Sequence, residues 1–414
     1  MSEAAKGEAR GVARGWWLVA LLCTTQVLGM LHNATFPALI PVFQPLWGLS
    51  GTEAGWISGI YYAGYAAAVP LLVTITDRTD ARAIYLACCL LGGLAALAFA
   101  FLADGFWSAM IFRVLGGISL AGTYMVGLKL LTDRLDERRR ARAVAIYTAF
   151  FGIGASLSVF VAGEVETRAG WSAAFVAASL GSFLAFVLVA FFVRPLERKT
   201  QAPGDTHVFD FRPVLRNGPA MAYTLGYAAH IWELFGFRAW LVAFLVFVFA
   251  QQPLLQDGTW TPTQVATVIL LLGMPASILG NEIATLFGRR RSVALFMIAS
   301  GAISLTLGFL AAAPLWLLGT LLVVFGCVVM MDSGALTAGT VIAATPDRRG
   351  ATMALHSLMG FGTGFIAPLA FGAVLDLGGG SGSSLAWGLA FGLLGLGVLT
   401  GPLVLALMGR RRAS

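Results

Sequence analysis

Residues 15–52 contain no Asp, Glu, Lys or Arg. A helix needs only about 20 apolar residues to cross a bilayer, so this uncharged run is long enough for a crossing with residues to spare. Similar runs recur to the end of the chain. Only 11% of the 414 residues are charged, against about 25% in a typical soluble domain. So few charges cannot cover a water-soluble surface of this size, and the chain reads as an all-α membrane protein.

The runs place spans at about 16–43, 54–76, 83–103, 106–131, 143–163 and 171–193. A polar stretch follows, with Pro195, Pro203, Gly204, Asp205 and Pro213. Spans 7 and 8 fall at about 219–250 and 263–287. Residues 292–345 are too long for one crossing at 1.5 Å per residue and turn at Ala311–Pro314, giving spans 9 and 10. Spans 11 and 12 lie at about 351–375 and 386–408, joined by a Gly/Ser-rich loop. The expected organisation is an N-terminal cytoplasmic tail (1–15), a six-helix bundle (16–193), a cytoplasmic central loop (194–218), a second six-helix bundle (219–408) and a basic cytoplasmic tail (409–414).

Charge supports that count. With both termini cytoplasmic, 23 of the 27 basic residues fall on the cytoplasmic side, and only Arg168 falls on the other. This is the asymmetry of the positive-inside rule, and an odd number of spans would break it. The net charge of +7 is therefore a topology signal. Its short basic clusters form no nucleic-acid-binding domain. Cys23, Cys88, Cys89 and Cys327 sit within apolar runs and read as small buried hydrophobes without metal-ligand spacing. No cofactor is expected.

The two halves repeat each other. The first has Arg139-Arg140-Ala141-Arg142, then Gly152-x-Gly154, then Trp171-x-x-Ala174-Phe175. The second has Asp347-Arg348-Arg349-Gly350, then Gly360-x-Gly362-x-Gly364, then Trp387-x-x-Ala390-Phe391. Parallel six-span repeats mark a large transporter architecture. The loop after span 2, Asp77-Arg78-Thr79-Asp80-Ala81-Arg82, resembles the Gly-x-x-x-Asp-Arg-x-Gly-Arg-Arg/Lys signature of the major facilitator superfamily. It departs at Val73, Asp80 and Ala81. The loop after span 8 keeps Gly288-Arg289-Arg290 but has Thr285 in place of an acid. Arg113 with Gly116, Gly117 and Gly122 is similar to that family's span-4 motif. Gly152 and Gly154 lack the proline of many antiporters. The resemblance covers essentially the whole chain. It implies two pseudo-symmetric six-helix bundles, with Asp77 and Arg78 as a cytoplasmic latch between them.

Ionisable groups inside spans are expensive in lipid and are functional candidates. They are His32, Arg113, His230, Glu233, Arg238, Glu282, Asp332 and His356. His32 and Arg113 fall at similar depth, suited to one outer cavity. His230, Glu233 and Arg238 share one polar arc of span 7, with Trp232 nearby. Glu233, with Asp332, is the expected proton carrier. His32, Asn33, Arg113, His230, Trp232 and Arg238 are the expected substrate contacts. The competing reading is internal ion pairs that hold helices together. Glu282 and His356 fit a cytoplasmic gate or packing.

The expected function is secondary active transport by alternating access across the cytoplasmic membrane. It would be proton-coupled, act on a small anionic or zwitterionic organic solute, and work as a monomer. Efflux of a drug-like compound is one alternative. A membrane sensor or assembly factor on the same fold is another. No nucleotide-binding or hydrolase motif occurs, so the chain is not expected to be an enzyme.

Overall fold

The computed structural model describes residues 3–76, 78–196, 211–252, 255 and 258–408. Asp77, most of the central loop and the basic tail lie outside them. The described residues are overwhelmingly helical. The first span is made of α1 (Glu3–Gly29), α2 (Thr35–Ala38) and α3 (Ile40–Trp47). Then come α4 (Gly51–Ile75), α5 (Ala81–Leu102), α6 (Phe106–Thr132) and α7 (Glu137–Phe192). The second half holds α8 (Arg212–Arg216), α9 (Gly218–Gln251), α10 (Pro262–Phe287), α11 (Arg289–Leu307), α12 (Leu315–Met331) and α13 (Ser333–Ala343). It ends with α14 (Arg349–Leu377), α15 (Ser384–Val398) and α16 (Thr400–Met408).

Ten of the described helical segments are long and apolar enough to cross a membrane. One of them, α7, is broken at Gly170, whose φ of 82° no L side chain adopts comfortably, so it supplies two arms. The apolar part of α1, Gly15–Gly29, adds a shorter one. The fold is therefore an integral multi-pass helical bundle, consistent with twelve crossings.

Helix starts follow local chemistry. Ser50 and Glu53 form a capping box on α4, and Thr261 and Gln264 form another on α10. Asp80, Asp136 and Ser383 each accept a backbone N–H at the first turn of α5, α7 and α15. These side chains satisfy donors that the first helical turn leaves open.

The sequence repeat reappears as packing. In the first half Phe175 stacks on Phe99 at 3.9 Å, and Trp171 meets Phe43 at 5.3 Å. In the second half Phe391 meets Phe244 at 4.8 Å, and Trp387 meets Phe244 at 5.2 Å. Each W-x-x-A-F segment seeds an aromatic core in its own half.

The halves close on each other at the face that the charge rule makes outer. The N–H groups of Gly51 and Thr52 donate to Asp376 at 2.7 and 2.8 Å, and the Thr52 hydroxyl donates to it at 2.6 Å. Gln264 Nε2 donates to Glu164 Oε1 at 2.7 Å. Between them α4 lies on α14 so closely that a Cβ on Gly59 would overlap the Phe365 carbonyl oxygen. Small residues permit that approach.

Candidate functional site

The first span is interrupted at mid-length. Residues 30–34 leave the helix between α1 and α2, freeing carbonyls that lipid cannot satisfy. Arg113 of α6 repairs the gap: its Nη1 donates to the His32 carbonyl and its Nη2 to the Asn33 carbonyl, each at 2.9 Å. Its Nε reaches the Ile57 carbonyl at 3.4 Å, and its guanidinium lies 4.3 Å from the Tyr61 ring centre. Ser158 of α7 donates to the Leu31 carbonyl at 2.6 Å and accepts from the Ala34 N–H at 2.9 Å.

This break sends successive side chains to two cavities. His32, with Arg113, lines a small cavity within the first bundle. Asn33 lines a different cavity between the halves. Tyr62, Ser58 and Ala155 contribute from the first half, and Phe235, Arg238 and Leu270 from the second. Tyr62 and Phe235 stand 4.4 Å apart across the divide. Arg238 is half-buried there, and its Nη2 donates to the Met330 sulfur at 3.7 Å.

The remaining polar residues of α9 turn into the second bundle. His230 Nδ1 lies 2.7 Å from Asp332 Oδ1, in ion-pair range but off the line of a good hydrogen bond. Asp332 occupies the joint between α12 and α13. Glu233, 1% exposed, faces Ser300 of α11 and has one carboxyl oxygen without a partner among the described residues. His356 of α14 stacks on Tyr227 at 3.9 Å and meets Thr340 at 3.1 Å, and Tyr227 is 5.8 Å from His230. Trp232 is not part of this group, because its indole donates to the Leu393 carbonyl at 3.3 Å.

The substrate residues expected from sequence thus separate. Asn33 and Arg238 share the central cavity, His32 and Arg113 share the first-bundle cavity, and His230 joins Glu233 and Asp332. Sequence reasoning left His356 and Tyr227 outside this last group. Helical spacing reports neighbours on one helix, whereas these residues meet across three.

At the end that the charge rule makes cytoplasmic, Arg78 is exposed and Asp77 lies outside the described residues. The engaged acid is Asp80. It accepts from the N–H groups of Arg82 and Leu196 at 3.0 and 2.9 Å and pairs with Arg134 at 3.1 Å. Burial pushes its carboxyl up, but those three donors outweigh burial and hold it below the usual carboxylate range.

The profile of the Major Facilitator Superfamily matches residues 21–355. The niacin transporter NiaP of Acinetobacter baylyi is 27% identical over 143 residues, 34% of this chain and 32% of that protein. The multidrug resistance protein MdtL of Salmonella heidelberg is 27% identical over 148 residues, 35% of this chain and 37% of that protein. The chain thus aligns with about a third of the length of these curated relatives. Among solved structures, a bacterial homologue of the human lysosomal transporter Spinster, inward-facing and unoccupied, superimposes with a TM-score of 0.73 at 16% identity, covering 95% of each chain. The nucleoside transporter NupG gives 0.74 at 15% identity, covering 94% of this chain and 99% of that one.

Proposed function

Because the chain belongs to the Major Facilitator Superfamily, we propose that it is a membrane transporter, a proton-coupled symporter of a small organic anion working by alternating access in the cytoplasmic membrane. The observation that carries this reading is Arg238. It lines the cavity between the halves, and no carboxylate pairs with it among the described residues. A guanidinium in that position suits capture of a carboxylate. Tyr62 and Phe235 flank it with aromatic surface, and Asn33 adds an amide. An anion with a flat apolar ring fits this lining, and the similarity to a niacin transporter makes nicotinate the first probe.

The proton site in this reading is Glu233 with the His230–Asp332 pair. An ionised carboxylate short of donors in a buried site is costly, and a proton relieves that cost. Glu233 and Arg238 are five residues apart on α9, about 7.5 Å along the axis. One helix therefore carries both the proton and the anion site, and its movement couples them.

The test is uptake of labelled nicotinate into proteoliposomes under an imposed pH gradient. The expected result is accumulation in wild type. The Glu233→Gln protein should exchange solute without responding to the gradient. Full gradient-driven accumulation by that variant overturns the proton role. Gradient-driven extrusion of lipophilic cations, with no nicotinate transport, would favour efflux, the activity named for MdtL.

A further inference from the structure

Arg113 poses a charge problem that the central cavity does not solve. It is 3% exposed, and spans 1–6 contain no Asp or Glu. Among the described residues its partners are three backbone carbonyls and the face of Tyr61. A buried cation without a counter-charge is strongly disfavoured. Carbonyl dipoles offset only part of that cost. A guanidinium has five N–H groups, so two remain after the three carbonyls.

The second donor is His32. Its Nδ1 faces the Tyr61 hydroxyl at 3.5 Å. With that hydroxyl donating to Nδ1, the ring proton sits on Nε2. Nε2 is buried and has no partner among the described residues. His32 and Arg113 line the same cavity, together with the rings of Phe99, Phe112 and Phe175. It is the smaller of the two cavities. Gly116 forms part of its wall, and a Cβ there would stand 3.1 Å from Tyr61 and 3.3 Å from His32.

We propose that this cavity is a binding site for a small inorganic anion of halide size, held between the Arg113 guanidinium and His32 Nε2. The anion neutralises the first bundle internally and locks the break in the first span. It is separate from the transported solute.

A ligand that binds only the folded protein stabilises it in a saturable way. The experiment follows the thermal unfolding midpoint of detergent-purified protein in sodium chloride or bromide, against sodium gluconate at equal ionic strength. The expected result is a midpoint that rises with halide concentration and saturates. The shift should persist in Arg238→Gln and be lost in His32→Leu. Gly116→Ala, which narrows the cavity without removing a donor, should weaken the halide response at least tenfold, and it serves if His32→Leu does not fold. Halide and gluconate curves that coincide in wild type overturn the proposal, as does an unchanged response in either first-bundle variant. In a parallel titration with sodium nicotinate, a shift that needs His32, with no halide effect, would also overturn it, by assigning the cavity to the organic acid.

Discussion

At the residue scale, the candidate site depends on which charges keep a partner. Arg238 and Arg113 are both guanidiniums within spans, yet Arg113 is committed to the carbonyls of His32 and Asn33 and Arg238 is not committed to any carbonyl or carboxylate among the described residues. Replacing Arg238 with Gln should raise the nicotinate concentration for half-maximal uptake at least tenfold, equivalent to about 1.4 kcal/mol. Initial-rate uptake measures it. Asp332→Asn removes the carboxylate beside His230. It should abolish gradient-driven accumulation while leaving nicotinate counterflow measurable in the same vesicles. The residue types behind these predictions were legible in the sequence, since lipid makes any ionisable group conspicuous. Their partners were not, because His230, Asp332 and His356 stand on three helices far apart in the chain.

At the element scale, the interrupted first span is the clearest departure from an expectation of one continuous helix over 16–43. Hydropathy reports only that lipid tolerates the side chains. Whether the backbone can leave the helix depends on distant donors that bond to the freed carbonyls. Ser158 is one of them, through two bonds to the segment. Ser158→Ala strands the part-buried Ala34 N–H, while the Leu31 carbonyl keeps its bond from the Thr35 hydroxyl, so it should cost about 1 kcal/mol. A thermal melt in detergent should show a lower midpoint, and Ser158→Thr should recover part of it. By contrast, the first turns of α4 and α10 were legible locally, because the capping-box partners lie three residues apart.

At the scale of the whole molecule, the two bundles meet at the acid-bearing face through Asp376 on the first turn of α4 and through Glu164 with Gln264. The proposed alternating access requires these contacts to break. Asp376→Ala should therefore favour the state open at that face. A cysteine placed at Ala239 in the central cavity should then react faster with a membrane-impermeant maleimide added from that side. Glu164 adds a pH dependence. Hydrogen bonds from Arg168 and then Gln264 hold its carboxyl below the usual range. Arg168 lies on the same helix as Glu164, so only Gln264's share of that lowering belongs to the closed contact; it contributes above the ordinary value and is lost as pH falls through the lowered one. Acidifying that face should thus increase labelling, and Glu164→Gln should remove the pH response.

The sequence by itself determined that this chain lives in a bilayer, that it is built as two related halves, and which few side chains carry charge into the membrane. Those conclusions rest on composition, on the distribution of Arg and Lys, and on a repeat, all of which are properties of one dimension. The tertiary structure decided where the first span breaks, that His32 and Arg113 look into a different cavity from Asn33 and Arg238, and that Asp80 rather than Arg78 is tied down by hydrogen bonds at the foot of α5. Each of these turns on which helix supplies the missing hydrogen-bond partner. That is settled by packing across the bundle and leaves no periodic mark along the chain.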